Sequence, residues 1–303
     1  MPRTTDFAKN PDTIFPAVAV KTQGKLVGRA IVSGMTTAPR FVFLNALFVT
    51  TLSVFNCQDA RSAGTPLRLS EKEAAEIGRK VWRNECGGTI EGLTSWNTGE
   101  NFASLGIGHF IWYPKGVHGP FDESFPKLIA FFQTRGVQLP GWLATDAPCP
   151  WSTRDDFQRD AKSRRMTELR ELLSSTLRLQ TDFLVQRLEN ALPKMLEAAA
   201  PSRRDKVRAQ FYRALQSGGK GVYALIDYVN FKGEGVLETE RYRGEGWGLL
   251  QALEGMSGNG NPVRDFSSSA KEILARRVRN APPERHEERW LPGWNSRVTG
   301  YAD

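Results

Sequence analysis

The run from Ser70 to Gly88 is the stretch that most constrains the fold. Ser70 stands three residues before Glu73, the spacing at which hydroxyl and carboxylate satisfy each other's free backbone N–H groups at a helix start. The segment that follows, EKEAAEIGRKVWRNE, is built from helix formers, and Ala74, Ile77 and Val81 recur at helical spacing on one face. Glu85 is the next member of that series, and Gly87 with Gly88 stops the helix behind it. The helix therefore carries a carboxylate inward at its last turn. Directly after it, LTSWNTGENFASLGIGHFIWY places Ser, Thr, Trp and Phe around the turn-forming NTGEN, which reads as a short β-hairpin.

The rest of the chain is mostly helical in pattern. After Pro114 a loop runs to about Pro120, FDESFPKLIAFFQTRG begins a helix, and the Pro- and Trp-rich LPGWLATDAPCPW links to a long helical region from Arg154 to Leu192. Further helices are expected at 202–216, 221–229, 246–257 and 265–279. The chain carries neither an internal repeat nor a low-complexity tract. The expected class is α+β, mainly α, with one small β element. With 303 residues, 40% hydrophobic and 24% charged, the composition suits one sizeable core with appendages.

Phe41 to Phe55 (FVFLNALFVTTLSVF) is uncharged, apolar and short for a membrane span. With Met35 as the start, 35–40 is a basic n-region, 41–55 the apolar h-region and NCQDARSAG the cleavage zone, so 35–63 reads as a signal peptide. Arg61 departs from the small residue favoured before such a cleavage site, and VFNC around Cys57 is a poor lipid-attachment site; the alternative is a buried helix of a cytoplasmic protein. Residues 1–34 are then an N-terminal extension, untranslated if synthesis begins at Met35. The chain would be secreted or periplasmic, with residues 64–303 as the working domain and no transmembrane span in its mature form.

The net charge of +8 favours anionic partners: nucleic acid, a membrane surface or an acidic wall polymer. Residues 1–63 hold seven Lys/Arg and three Asp/Glu, which leaves 34 basic against 30 acidic residues beyond them, or +4. That weakens nucleic acid as a partner. Cys86 and Cys149 remain, too few for a disulfide framework or a cysteine metal site, although in an exported chain they could pair.

A carboxylate at a helix C-terminus on an apolar face feels both the negative end of the helix dipole and desolvation, and each favours its protonated form. Such an acid can give a proton to the leaving oxygen of a glycosidic bond. The bland alternative is a helix-end acid paired with a cation such as Arg83. A helix ending in Glu, a hairpin and then SLGIGHF resembles the phage-type lysozymes and endolysins, in which a helix-end Glu precedes a hairpin leading to a glycine-rich motif that ends in His. GVYALIDYVNFKGEG (221–235) is similar to that family's helix ending in an Asn-and-Gly turn beneath the cleft, and NAPPERHEERWLPGW (280–294) to its Arg-rich, Trp-containing C-terminal segment.

The resemblance implies a lysozyme-like helical domain with a small hairpin and a helical insertion around 115–200, where no match is found. It implies that Glu85 is the general acid, that Ser104 stands where the family has a hairpin threonine that positions water or substrate, and that Asn230 lies beneath the cleft. Gly106 and Gly108 would let the backbone turn beside the cleft, and His109 would hold that loop by side-chain hydrogen bonds. The family's hairpin aspartate has no counterpart: Thr94 or Asn97 stands about there, and no aspartate lies between Glu85 and His109. Glu100 and Glu91 are candidate second acids. A third arrangement, as in goose-type lysozymes and lytic transglycosylases, needs one Glu alone.

Trp96 is the aromatic assigned to a sugar contact, with Asn97, His109 and Asn230 also placed on the substrate side. SGGKG (217–221) lacks P-loop spacing and reads as an interhelical turn, while His109, His118 and His286 are too scattered for a zinc site. No cofactor or metal is expected. The expectation is a monomeric, muramidase-like glycoside hydrolase acting on peptidoglycan or a related glycan. Its rivals are a non-catalytic glycan binder of the same fold and, more weakly, a basic helical protein that binds nucleic acid.

Overall fold

The computed structural model describes residues 67, 69–119, 121–144 and 146–303; the 35–63 segment lies outside the described residues. Helix α1 spans Glu71–Cys86, and its start is the expected capping box, with Ser70 N donating to Glu73 Oε2 at 3.0 Å and Glu73 N to Ser70 Oγ at 3.3 Å. Its end is the expected glycine stop. Gly87 and Gly88 both take left-handed backbone, with φ of 63° and 69°, and Gly88 N donates back to Trp82 O at 3.2 Å. Ala74, Ile77 and Val81 are buried.

The hairpin proves to be the first half of a three-stranded antiparallel sheet: β1 (Thr94–Ser95), β2 (Ala103–Leu105) and β3 (Phe110–Trp112), in that order. Ser104 is opposite Ser95 on one side and Ile111 on the other. SLGIGHF is therefore the second turn of the sheet, between β2 and β3.

The helices that follow are α2 (Phe125–Thr134), α3 (Arg154–Arg159), α4 (Arg164–Ser175), α5 (Leu177–Ala198), α6 (Arg204–Leu215) and α7 (Gly219–Lys232). A minimal hairpin, β4 (Arg241–Tyr242) and β5 (Glu245–Gly246), leads to α8 (Leu249–Gly255), α9 (Pro262–Asn280) and α10 (Leu291–Thr299). The architecture is mainly α with a small antiparallel element, as the sequence pattern implies. The long helical region divides into three because hydroxyl side chains interrupt it. Thr153 and Ser163 each accept from a backbone N–H as N-caps of α3 and α4. Thr176 turns its hydroxyl back onto Leu172 O at 2.7 Å where α4 passes into α5. SGGKG is an interhelical turn that runs into the start of α7.

Helix α5 is the centre of the fold. Thr181 comes so close to α1 that a Cβ at Gly78 would sit 2.5 Å from its hydroxyl, so the two helices need a glycine to pack at this distance. The core spreads from there through Phe110, Phe125, Phe132, Phe211 and Tyr228 to Trp294 and Tyr301, each nearly inaccessible to water. A fully buried phenylalanine of this kind contributes about 2 kcal/mol. Burial of Trp294, Val298 and Tyr301 docks α10, a helix the periodicity does not reveal, into that core.

Candidate active site

Glu85 occupies the last turn of α1, and its side chain is 8% exposed. Three later parts of the chain meet it. Arg297, on α10, donates from Nη2 to Glu85 Oε1. His109, from the turn between β2 and β3, brings Nδ1 to 3.5 Å from Glu85 Oε2, and Asn230 in the last turn of α7 lies near enough to favour the ionised form. The structure thus gathers Glu85, His109 and Asn230 around one carboxylate.

Arg297 also serves a second acid. It forms a two-pronged pair with the buried Asp227 of α7, Nε to Oδ2 at 2.8 Å and Nη2 to Oδ1 at 2.9 Å. Asp227 accepts as well from Tyr301 Oη at 2.7 Å and Asn84 Nδ2 at 3.3 Å, and Asn84 donates to Tyr223 Oη at 2.6 Å. One guanidinium therefore compensates two carboxylates. Desolvation is the largest influence on Glu85 and acts to raise its pKa, but Arg297 and then His109 and Asn230 outweigh it, so the group lies below the ordinary glutamate range. The expectation of a protonated Glu85 in the resting protein is corrected by this pair: the ion pair with a cation from α10 overrides burial and the helix dipole.

The turn holding His109 is fixed from beneath by α5. Gln180, fully buried, accepts from Ile107 N at 2.9 Å and donates from Nε2 to Leu173 O at 2.7 Å. Gly106 has a φ of 70°, and a Cβ there would lie 2.4 Å from Gln180 Oε1; at Gly108 a Cβ would lie 2.7 Å from the Phe110 ring. Both glycines are needed, Gly106 for conformation and space, Gly108 for space alone. Cys86 adds a thiol contact from the end of α1 to Gly106 O at 3.4 Å. His109 itself, at a φ of 46°, does not hold the loop: its Nδ1 is buried with no hydrogen bond, and desolvation lowers its pKa.

A second group surrounds the first turn of the sheet. Glu100 is 9% exposed, and burial pushes its carboxyl up to about 7. Asn97 Nδ2 donates to Glu100 Oε2 at 3.1 Å and Trp96 Nε1 to Glu100 O at 2.9 Å. Ser104 is close enough to draw the pKa partly back, yet Glu100 Oε1 and Ser104 Oγ make no hydrogen bond of standard geometry and are closed to solvent. Trp96 is buried, its ring centroid 5.9 Å from that of Phe157, so it supports the turn from within and offers no face to a sugar. Glu91 opens a 3-10 turn on the exposed side. Among the described residues no hydrogen bond or ion pair joins this group to that of Glu85. Cys86 and Cys149 are both buried free thiols, so their pairing is not realised.

No family model, no curated protein and no solved structure matches this chain.

The carriers of the site that the pattern did not single out are Arg297, Asp227 and Gln180. Asp227 sits in the apolar VYALIDYV, where a lone acid is a signal for a buried partner. Arg297 follows the Arg- and Trp-rich segment but carries no local signal of its own. Gln180 lies in the region where no resemblance was found, and nothing in its neighbours distinguishes it from a solvated glutamine.

Proposed function

We propose that this protein cleaves a wall glycan, with Glu85 as the reacting carboxyl group, as a muramidase-like glycoside hydrolase acting on peptidoglycan outside the inner membrane. The observation that carries the reading is convergence. The helix-end acid, the turn ending in His109, the helix end at Asn230 and the C-terminal Arg297 are remote in sequence and meet at a single carboxylate.

The network supplies a means of changing the state of Glu85. Its contact with Arg297 is one hydrogen-bonded arm, whereas Arg297 is anchored independently by two bonds to Asp227. A glycan that separates Glu85 from that arm leaves Arg297 paired and Glu85 desolvated. Burial then raises its pKa, and the carboxyl takes up a proton that it can pass to the glycosidic oxygen. Glu100 and Ser104, closed to solvent in a group of their own, are not assigned a part in this step.

The same geometry without turnover describes a glycan-binding protein, a reading favoured by the missing hairpin aspartate. Incubating the purified 64–303 domain and its Glu85→Gln form with peptidoglycan, followed by mass spectrometry of soluble fragments, separates the two. Loss of general acid catalysis costs roughly 10²–10⁴-fold. Reducing-end muropeptides from the parent alone support hydrolysis, anhydro ends support lytic transglycosylation, and no release by either form leaves binding. Equal cleavage by both would remove Glu85 from the chemistry.

A further inference from the structure

The 115–200 region, where no resemblance is found, brings an uncommitted cation to the neighbourhood of this site. On α5, Gln180, Leu184 and Arg187 follow at intervals of four and three, which places them on one helix face. Gln180 holds Ile107 N, and Leu184 Cδ2 lies 3.0 Å from where a Cβ of Gly108 would stand, so this face runs beneath the turn carrying His109. Arg187 is the next residue along it.

Arg187 makes no hydrogen bond and no ion pair among the described residues. The acids whose charge it feels, Asp122 and Glu234, are bonded elsewhere: Asp122 to Lys127, and Glu234 to Lys194 at 2.9 Å. Glu234 comes just after the end of α7, whose last turn carries Asn230 beside Glu85. The guanidinium is recessed, since the residue is only partly exposed and desolvation is the strongest influence on it, lowering its pKa. Three cations thus share two carboxylates, and the cation left over is a planar fork held partly out of water. That arrangement is unfavourable while the protein is empty and is relieved when an anion arrives. A guanidinium presents two parallel donors, which match the two oxygens of a carboxylate.

We propose that Arg187 is a substrate-recognition residue that binds a carboxylate carried by the glycan. The inference rests on the glycan reading above and narrows it to an acidic strand: wall glycan bears carboxylates on its stem peptides, or on the lactyl group where no peptide is attached, whereas chitin-type oligosaccharides are neutral.

The test is titration calorimetry of the parent, Arg187→Met and Arg187→Lys with two ligands, a soluble disaccharide–peptide fragment of peptidoglycan and chitotetraose. Loss of a charged hydrogen-bonded contact predicts that Arg187→Met binds the acidic fragment roughly tenfold to a hundredfold more weakly, with chitotetraose binding unchanged and Arg187→Lys in between. The melting temperature of Arg187→Met should equal or exceed the parent's, because the change removes a partly desolvated cation that makes no hydrogen bond or ion pair among the described residues. Equal weakening for both ligands, no weakening for either, or a variant that loses its fold would overturn the assignment. Parent protein that binds neither ligand would sink the glycan reading along with it, whereas parent binding indifferent to Arg187 would sink this inference alone. Repeating the comparison with a peptide-free fragment, whose lactyl carboxylate is freed, shows how narrowly the group is recognised. Retained sensitivity to Arg187 shows that it accepts the lactyl carboxylate as well, lost sensitivity restricts it to the stem peptide, and both uphold the proposal.

Discussion

Replacing Glu100 by glutamine should stabilise this protein, by an amount that grows from nothing below pH 4.5 to its full value above about pH 7. Burial raises the Glu100 carboxyl from an ordinary 4.5 to about 7. Below 4.5 the group is neutral in both folded and unfolded chains and costs nothing. Between 4.5 and about 7 the unfolded chain ionises while the folded one stays protonated, so stability is lost as pH rises through that window. At about 1.4 kcal/mol for each pH unit, the full loss is about 3 kcal/mol. Glutamine is neutral throughout, keeps an oxygen to accept from Asn97, and offers an amide to the otherwise unbonded Ser104 Oγ. Urea unfolding of both proteins at intervals from pH 4 to pH 8 should give coincident stabilities at the acid end and a gap that opens to about 3 kcal/mol by pH 8. It is the difference between the two proteins that isolates Glu100, since other carboxylates shape each profile. A gap that does not widen with pH, or a variant less stable than the parent at pH 8, would refute the account of this buried acid.

Arg297→Met should be among the most damaging single changes, because it strands two carboxylates; removing one partner of a buried pair costs about 3–5 kcal/mol, which for a domain of this size lowers the melting temperature by about 10 °C. Glu85 in the parent has a depressed pKa and stabilises the fold above 4.5, a contribution lost as pH falls, so calorimetry should show the gap between parent and variant narrowing below pH 4.5. Gln180→Ala should cost about 1–3 kcal/mol by leaving the buried Ile107 N–H without its acceptor, and hydrogen exchange at the Ile107 amide should accelerate more than at amides of α9, whereas uniform acceleration would show that Gln180 supports the whole fold and not this turn.

The parts of this molecule that were legible in its sequence are those whose causes are local. Ser70 with Glu73, the Ala74–Ile77–Val81 series and the Gly87–Gly88 stop determine α1 within nineteen residues, and each acts as its chemistry predicts. The two glycines of SLGIGHF marked a tight turn correctly, but their reason, the Gln180 side chain and the Phe110 ring, includes a contact from far along the chain. The ionised state of Glu85 is hidden from the sequence for the same reason. Helix dipole and burial are visible from a single element, whereas the cation that decides the matter comes from α10, a helix that opens on the Leu-Pro-Gly of an unpromising segment. Trp96 illustrates the converse, since an aromatic in a polar hairpin suggests a platform, and only the packing of α3 behind it reveals a core residue.

The Glu85–Arg297 bond spans 212 residues of chain, and this has a consequence for how the molecule reaches its working state. A contact of such separation closes a very long loop, and its entropy must be met before the bond gives anything back. Until α10 docks, Glu85 and Asp227 have no guanidinium to share, and packing α1 against α7 would bury two like charges. The charges therefore oppose partial assembly, favouring a transition in which the helices close together with their common cation. A half-folded chain would hold no half-working site.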